Sequence, residues 1–294
     1  MGHFLQLHET PDDFRRALSF TEAESGFAQR LIEKDYYCSL ILADFETLFA
    51  AGLVFKGGTC LSKVHAVFNR LSEDLDFTIS IPTTARPRER REARLPIKRH
   101  IEQIAERLSA VSSTSAQGHN GNRQYNAVLR YMSAVTGEHE TVKVQVAVRE
   151  PIIEPAVSCV GRTLLRDPVT KETPGMQLSL CVLSLHETYA EKVRAALTRN
   201  PPAIRDVFDI ADAVRARRLD FYEPRFLRLV RQKLAASGNA VIDTSETRRR
   251  SLENQLETHL KPVLRGSDYA VFDIERAFTE VEKLAATIRG ESLR

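Results

Sequence analysis

Asp74 and Asp76 stand one residue apart in the segment SEDLDF, and upstream of them the pair Gly57-Gly58, followed by Thr59, closes a short apolar run. Two carboxylates on one face of a strand have Cα atoms about 6.5–7 Å apart, close enough to converge on one hard cation that prefers oxygen ligands, Mg²⁺ or Mn²⁺. Adjacent glycines let a phosphate approach the backbone, and a helix opening at Thr59 offers N–H groups and a partial positive charge. Thr59 and Ser62 could add hydroxyl donors, and Lys63 could neutralise phosphate charge. Each motif alone has a plainer reading, a solvated acidic pair or a tight strand-to-helix turn. Together they read as a phosphate cradle beside a metal chelate, the needs of a bound nucleoside triphosphate.

The elements that must position these groups follow from periodicity. Cys38, Ile41, Leu42, Phe45, Leu48 and Phe49 form one apolar stripe, predicting a helix over about 22–50 that ends at Gly52. Leu53-Val54-Phe55 reads as a strand, and Thr59 as the N-cap of a helix to about 69. In DLDFTIS, period 2 puts Asp74, Asp76 and Thr78 on one face and Leu75, Phe77 and Ile79 on the other. A helix over 96–111 and a loop through SSTSAQGHNGN are expected next, then a hairpin of strands 125–132 and 141–148. Residues 151–183 read as irregular with one or two short strands. Helices are expected over 184–199, 203–217, 222–236, 247–261 and 268–289, the last capped by Ser267 and Gly290. The predicted class is α+β: a helical segment over 1–50, a small mixed sheet with helices over 51–183 and a helical region over 184–294.

Composition sets outer bounds. The 294 residues suit about two domains of ~150 residues each, and 43% hydrophobic with 28% charged residues is ordinary for a globular protein. No apolar run reaches the ~18 residues of a membrane span, and the N-terminal stretch lacks a basic and apolar leader pattern, so the expectation is a cytoplasmic protein without a membrane partner. Cys38, Cys60, Cys159 and Cys181 lack paired spacing, arguing against zinc or disulfides. A net charge of +3 does not demand a nucleic acid, but 86–100 (RPRERREARLPIKRH) carries six Arg and one Lys against Glu89 and Glu92. That run reads equally as a polyanion contact or a solvated face.

In the helix from Ser184, Leu185, Tyr189, Lys192 and Ala196 share one face, so Lys192 points along a stripe expected to be buried. It could snorkel to solvent, or be satisfied by a triphosphate or by Asp209. Arg205 and Asp209 are spaced as an ordinary helical salt bridge.

Four stretches, in order, resemble the AbiEii/AbiGii (MenT-like) toxin family of polymerase-beta-like nucleotidyltransferases. GGT at Gly57 resembles its Gly-Gly-Ser/Thr, and Ser72-Glu73-Asp74-Leu75-Asp76 its Ser-x-Asp-x-Asp. EKVRAAL (191–197) is similar to the motif whose lysine contacts nucleotide, and RDVFDI (205–210) to Arg-Asp-Leu-Tyr-Asp-Leu. IEKDYY near residue 34 is similar to the helix that precedes the glycine turn. The resemblance spans about residues 30–212.

The resemblance implies a polymerase-beta-like core and an enzyme that, with Mg²⁺, transfers NMP from an NTP to an RNA acceptor, the 3′ end of a tRNA by the family's pattern. Asp74 and Asp76 would hold the metal; Gly57, Gly58, Thr59, Ser62 and Lys63 would bind nucleotide; Lys192 would steady phosphate charge; Asp209 would join the catalytic set. A cognate antitoxin and a role in abortive infection of phage are implied as well, and a monomer is expected. One position departs. Where polymerase-beta-like enzymes place a third carboxylate, on a strand like VKVQVAV, this chain has Gln145, a weaker ligand that cannot act as a general base. That departure keeps open a catalytically weak nucleotide- or RNA-binding module, and an identical donor site would also serve a protein-nucleotidylating enzyme. A negative group added to Ser72 would lie against Asp74 and compete for the metal, which makes Ser72 a candidate regulatory position, although on residue type alone a local hydroxyl hydrogen bond is the better explanation.

Overall fold

The computed structural model describes residues 7–82, 84–119, 123–148, 151–173, 178–235 and 239–290, with backbone alone over 115–119. The chain forms two compact units, Met1–Leu183 and Ser184–Arg294.

The first unit opens with helices α1 (Pro11–Ser25), α2 (Gln29–Asp44) and α3 (Glu46–Ala50). The expected helix over 22–50 is thus interrupted: Gly26 takes a left-handed C-cap at φ 74 and Phe45 divides α2 from α3. Strand β1 (Leu53–Lys56), helix α4 (Gly57–Cys60) and strand β2 (Asp74–Ile79) follow, then helices α5 (Pro87–Glu102) and α6 (Ile104–Arg107). Strands β3 (Ser112–His119), β4 (Gln124–Met132), β5 (His139–Ala147), β6 (Val157–Gly161) and β7 (Leu178–Val182) complete it. All seven strands lie in one mixed sheet in the order β3-β4-β5-β2-β1-β7-β6. β2 pairs antiparallel with β1 and parallel with β5, which puts the two-acid strand at the centre.

The alternation expected for β5 holds, and that of β2 holds through Phe77, beyond which Thr78 is buried and Ile79 half-buried. Leu75, Phe77, Val142, Val144 and Val146 are buried, and Phe77 packs against Phe55 and Phe45 with ring centroids 5.2 and 5.5 Å away. A one-residue slip would exchange the acidic and apolar faces, so burying this side fixes the register that places Asp74 and Asp76.

Three local expectations are corrected. The helix expected from Thr59 begins instead at Gly57, with Lys56 and not Thr59 at its N-cap, and is α-helical only through Cys60; Leu61–His65 forms a wider π turn, and Val67 and Phe68 then adopt φ of 52° and 57°. The helix expected over 96–111 starts earlier: α5 takes in nearly all of the arginine-rich stretch 86–100, begun by Pro87 at an N-terminal position where its missing N–H costs nothing, with Pro96 inside the helix, and ends at Glu102. SSTSAQGH is not a loop: it pairs with β4 as β3, a tertiary hydrogen-bond pattern that overrides turn-like composition. Residues 120–122 of that expected loop lie outside the described residues.

The second unit is helical: α7 (Leu185–Thr198), α8 (Ile204–Arg215), α9 (Pro224–Ala235), α10 (Glu246–Glu253), α11 (Gly266–Ala270) and α12 (Ile274–Arg289). Tyr189, Val193, Phe208, Phe226, Val230 and Val281 are buried in it. The helix expected over 247–261 is α10 followed by a π turn at Leu256–Leu260, and the one expected over 268–289 is divided between α11 and α12. Asp273, not Ser267, caps α12 by accepting from the Arg276 N–H, while Gly290 ends it at φ 78. Residue 236, the end of another expected helix, lies outside the described residues. An α+β chain with a helical C-terminal region is what the sequence predicts. Among the described residues no helix is long and apolar enough to cross a membrane.

Candidate nucleotidyl-transfer site

Asp74 and Asp76 are half-buried on the polar face of β2. Strand register builds a row across the sheet through Asp76: Lys56 on β1, Asp76 on β2, Gln145 on β5 and Asn126 on β4 are successive partners. Asp74 stands beside Lys143. Gln124 Nε2 donates to Gln145 Oε1 at 3.1 Å, so an amide pair occupies the place expected for a third acid. Asn126 Oδ1 is buried without a hydrogen-bond partner among the described residues.

The glycine turn lies directly against these acids. A Cβ at Gly57, whose φ is +77, would overlap Asp76 Oδ2 and lie 2.7 Å from the Asp76 Cβ. A Cβ at Gly58 would lie 2.7 Å from Arg70 Nη2 and 2.9 Å from Ser72 Oγ. Glycine at 57 therefore lets backbone touch the acidic strand, and glycine at 58 lets it approach the segment that leads into that strand. Gly57→Ala is expected to cost about 1–3 kcal/mol, through left-handed backbone strain and displacement of the Asp76 carboxylate. A lowered urea midpoint together with reduced transfer is the result to look for; an unchanged midpoint would refute this packing.

Thr59, Ser62 and Lys63 are placed otherwise than expected. The Thr59 hydroxyl donates to the Asp74 carbonyl at 2.5 Å and that of Ser62 to the Arg70 carbonyl at 2.7 Å, both side chains being buried. They join the turn to the strand entrance. Lys63 is fully buried, with Nζ 2.6 Å from Asp35 Oδ1, 2.7 Å from Ser39 Oγ and 3.3 Å from the Arg162 carbonyl. Its charge is committed to Asp35. A buried lysine needs an anion, and α2 supplies one before any ligand can.

Three consecutive charged residues of α2 hold three different segments. Glu33 accepts from Ser133 Oγ (2.5 Å) and the Ala134 N–H (2.6 Å) after β4, and its burial pushes the carboxyl up from its ordinary range despite those bonds. Lys34 Nζ lies 3.3 Å from Glu73 at the entrance to β2. Asp35 holds Lys63 and accepts the Leu164 N–H at 3.0 Å. IEKDYY is therefore the scaffold of the site.

In the second unit, Lys192 Nζ lies 2.9 Å from Asp206 Oδ1 and 2.9 Å from Asp209 Oδ2. Both carboxylates are buried, and Arg199 reaches Asp206 at 3.3 Å. Of the alternatives for Lys192, partnership with Asp209 is realised. Asp206 escaped the sequence reading, although its i, i+3 spacing from Asp209 was the available signal. Arg70, Gln124 and Asn126 were missed too; they are read only from packing and register.

The donor set of the sheet face, two carboxylates with amides and neither His nor Cys, suits a hard divalent cation. Among the described residues no group of three or more His, Cys, Asp or Glu side chains is poised for a metal, so Asp74 and Asp76 would share coordination with phosphate oxygens or water.

Two crystal structures are similar over nearly the whole length. JHP933 from Helicobacter pylori is 12% identical at a TM-score of 0.42, with 98% of this chain and 94% of that one covered. A candidate nucleotidyltransferase from H. pylori is 15% identical at 0.40, with 97% and 96% covered. No curated protein matches the chain. The profile of the nucleotidyl transferase AbiEii toxin family, of type IV toxin–antitoxin systems, matches residues 40–282, from α2 through the acidic strand and the Lys192 cluster into α12. The chain belongs to the AbiEii nucleotidyltransferase toxin family.

Proposed function

We propose that this nucleotidyltransferase moves a nucleoside monophosphate from an NTP to a hydroxyl of an RNA acceptor, the 3′ end of a tRNA, with Mg²⁺ or Mn²⁺ held by Asp74 and Asp76. The observation that carries the reading is the closeness of the Gly57-Gly58 turn to the Asp76 carboxylate, which sets the backbone of the turn beside the candidate cation ligands. When bound, the cation would neutralise charge on the triphosphate and polarise the α-phosphorus. The acceptor oxygen bonds to that phosphorus, the bond to the β-phosphate oxygen breaks, and pyrophosphate departs. Gln145 cannot take the hydroxyl proton, so the proton leaves to water or to phosphate. The chain's own contribution is positioning and electrostatics, the usual basis of phosphoryl chemistry.

Arg86, Arg88, Arg91 and Arg99 are exposed on or beside α5, the helix that follows the acidic strand, and of these Arg88 pairs within the helix with Glu92 at 2.7 Å. This face suits an RNA backbone. Gln145 favours one competing reading, a binding module with little turnover. Incubating the protein with total RNA and each labelled NTP in turn separates the readings: label in RNA with release of pyrophosphate supports ours, label in protein or nucleotide binding without transfer refutes it. Replacing Arg88, Arg91 and Arg99 by Gln should weaken RNA use and flatten its salt dependence by about 0.7 in slope for each phosphate no longer neutralised, with nucleotide affinity unchanged.

A further inference from the structure

The sheet gives the two sides of Asp76 different chemistry. On one side lies β1, whose last residue, Lys56, is the register partner of Asp76 and leads straight into Gly57-Gly58. On the other lie β5 and β4, where Gln145 and Asn126 are the next two members of the same row. Nucleotidyl transfer runs in line, with the attacking and leaving oxygens on opposite sides of the phosphorus. A pyrophosphate leaving from the glycine turn therefore puts the acceptor hydroxyl on the β5 and β4 side. In the Asp76 row that side is built of amides. Gln145 commits its Oε1 to Gln124 Nε2 at 3.1 Å, which leaves its own Nε2 as the group it can offer. Asn126 is half-buried, and its Oδ1 is buried without a hydrogen-bond partner among the described residues. An amide oxygen left unpaired is destabilising, so its retention calls for a donor from elsewhere. The helices that pack on these strands take the opposite face: Tyr37 of α2 stacks on Tyr131 with ring centroids 3.9 Å apart, and Arg94 of α5 lies 5.7 Å from the Tyr125 ring centroid.

We propose that Asn126, beside the Gln124–Gln145 pair, binds the terminal ribose of the acceptor, accepting a hydrogen bond from the 2′-hydroxyl next to the attacking 3′-hydroxyl, and so makes the enzyme prefer an RNA end to a DNA end. The inference rests on the nucleotidyl-transfer reading above and adds the side on which the acceptor enters and the group by which it is recognised. Neighbouring strands lie about 4.8 Å apart, so Gln145 faces the 3′-oxygen nearest Asp76 and Asn126 the ribose one strand further out. A 2′-hydroxyl supplies the donor that the Asn126 oxygen lacks, and a deoxyribose cannot. A site built around such a bond rejects the analogue without it, because the amide is then left unpaired.

The test compares the wild-type protein with Asn126→Leu, close in shape but without a hydrogen-bonding group, alongside melting temperatures. Transfer from each labelled NTP is measured on total tRNA and on the same tRNA with its terminal nucleotide exchanged for the 2′-deoxy form. The wild-type protein should use the deoxy end with kcat/KM lower by about tenfold or more. Asn126→Leu should fall to about that level on the ribo end and discriminate between the two ends by no more than about twofold, with KM for the NTP unchanged. A side chain that serves only the fold would slow both ends alike and keep the wild-type ratio. That result, or equal use of both ends by the wild-type protein, would overturn the assignment while leaving the transfer reading standing. Absence of label in tRNA from the wild-type protein with every NTP would overturn the transfer reading and this inference with it. Should Asn126→Leu not fold, Asn126→Ala carries the same comparison of the two ends.

Discussion

Asp76→Ala is expected to lower nucleotidyl transfer by about three orders of magnitude or more, with Asp74→Ala close behind, while both variants fold. The carboxylates are half-buried on the polar face of β2, away from Leu75 and Phe77, so truncation removes neither core volume nor a ladder hydrogen bond. With Lys56 and Lys143 beside them in strand register, losing one carboxylate should cost stability within the usual range of a single replacement, about 0.5–3 kcal/mol. Catalysis has no such reserve. With Gln145 in place of a third acid, either replacement leaves a single carboxylate on the strand to hold a cation. Asp76→Asn keeps the packing against Gly57 and removes only the charge, which isolates the electrostatic part. Label incorporation at matched urea midpoints decides the matter; activity within tenfold of wild type in Asp76→Ala would remove β2 from the catalytic assignment.

The second large effect falls on stability. Lys63→Met should destabilise the first unit by about 3–5 kcal/mol, because Asp35 would remain buried with its charge uncompensated. The Asp35 side chain also accepts the Leu164 N–H, so an apolar replacement there would orphan a second group. Asp35→Asn keeps that acceptor. The double variant Lys63→Met with Asp35→Asn is accordingly expected to be more stable than Lys63→Met alone, by about 1–3 kcal/mol. Urea unfolding of the two single variants and the double one yields the coupling, and strictly additive losses would show that the pair is not the clamp described. Transfer activity should fall with Lys63→Met as well, since the turn that carries Gly57 and Gly58 loses its tie to α2.

Much of this was legible in the residues. The alternation in DLDFTIS and VKVQVAV is a direct image of one buried and one polar sheet face, so the placing of Asp74, Asp76 and Gln145 needed no coordinates. Helices α7 and α8 were legible for the same reason, their apolar stripes being long and regular. What escaped is set by partners far away in sequence. Nothing within SSTSAQGH announces a strand, because its pairing energy resides in β4. Periodicity says that Lys63 lies on a helix but not that Asp35, twenty-eight residues earlier, will take its ammonium before a phosphate can. Arg70 carries no periodic signal, since it lies between the π turn and β2 where the chain is irregular. Asp206 was overshadowed by Asp209 although both reach the same lysine.

The three successive charges Glu33, Lys34 and Asp35 make α2 a phase-sensitive element. Side chains advance about 100° for each helical residue, so a single residue inserted before Glu33 would turn all three away from their partners together. The turn after β4, the entrance to β2 and the glycine turn would be released in one step rather than one after another. Tolerance to insertion along this helix should therefore drop abruptly at this triplet, whereas exposed loops elsewhere in the unit accept extra length at small cost.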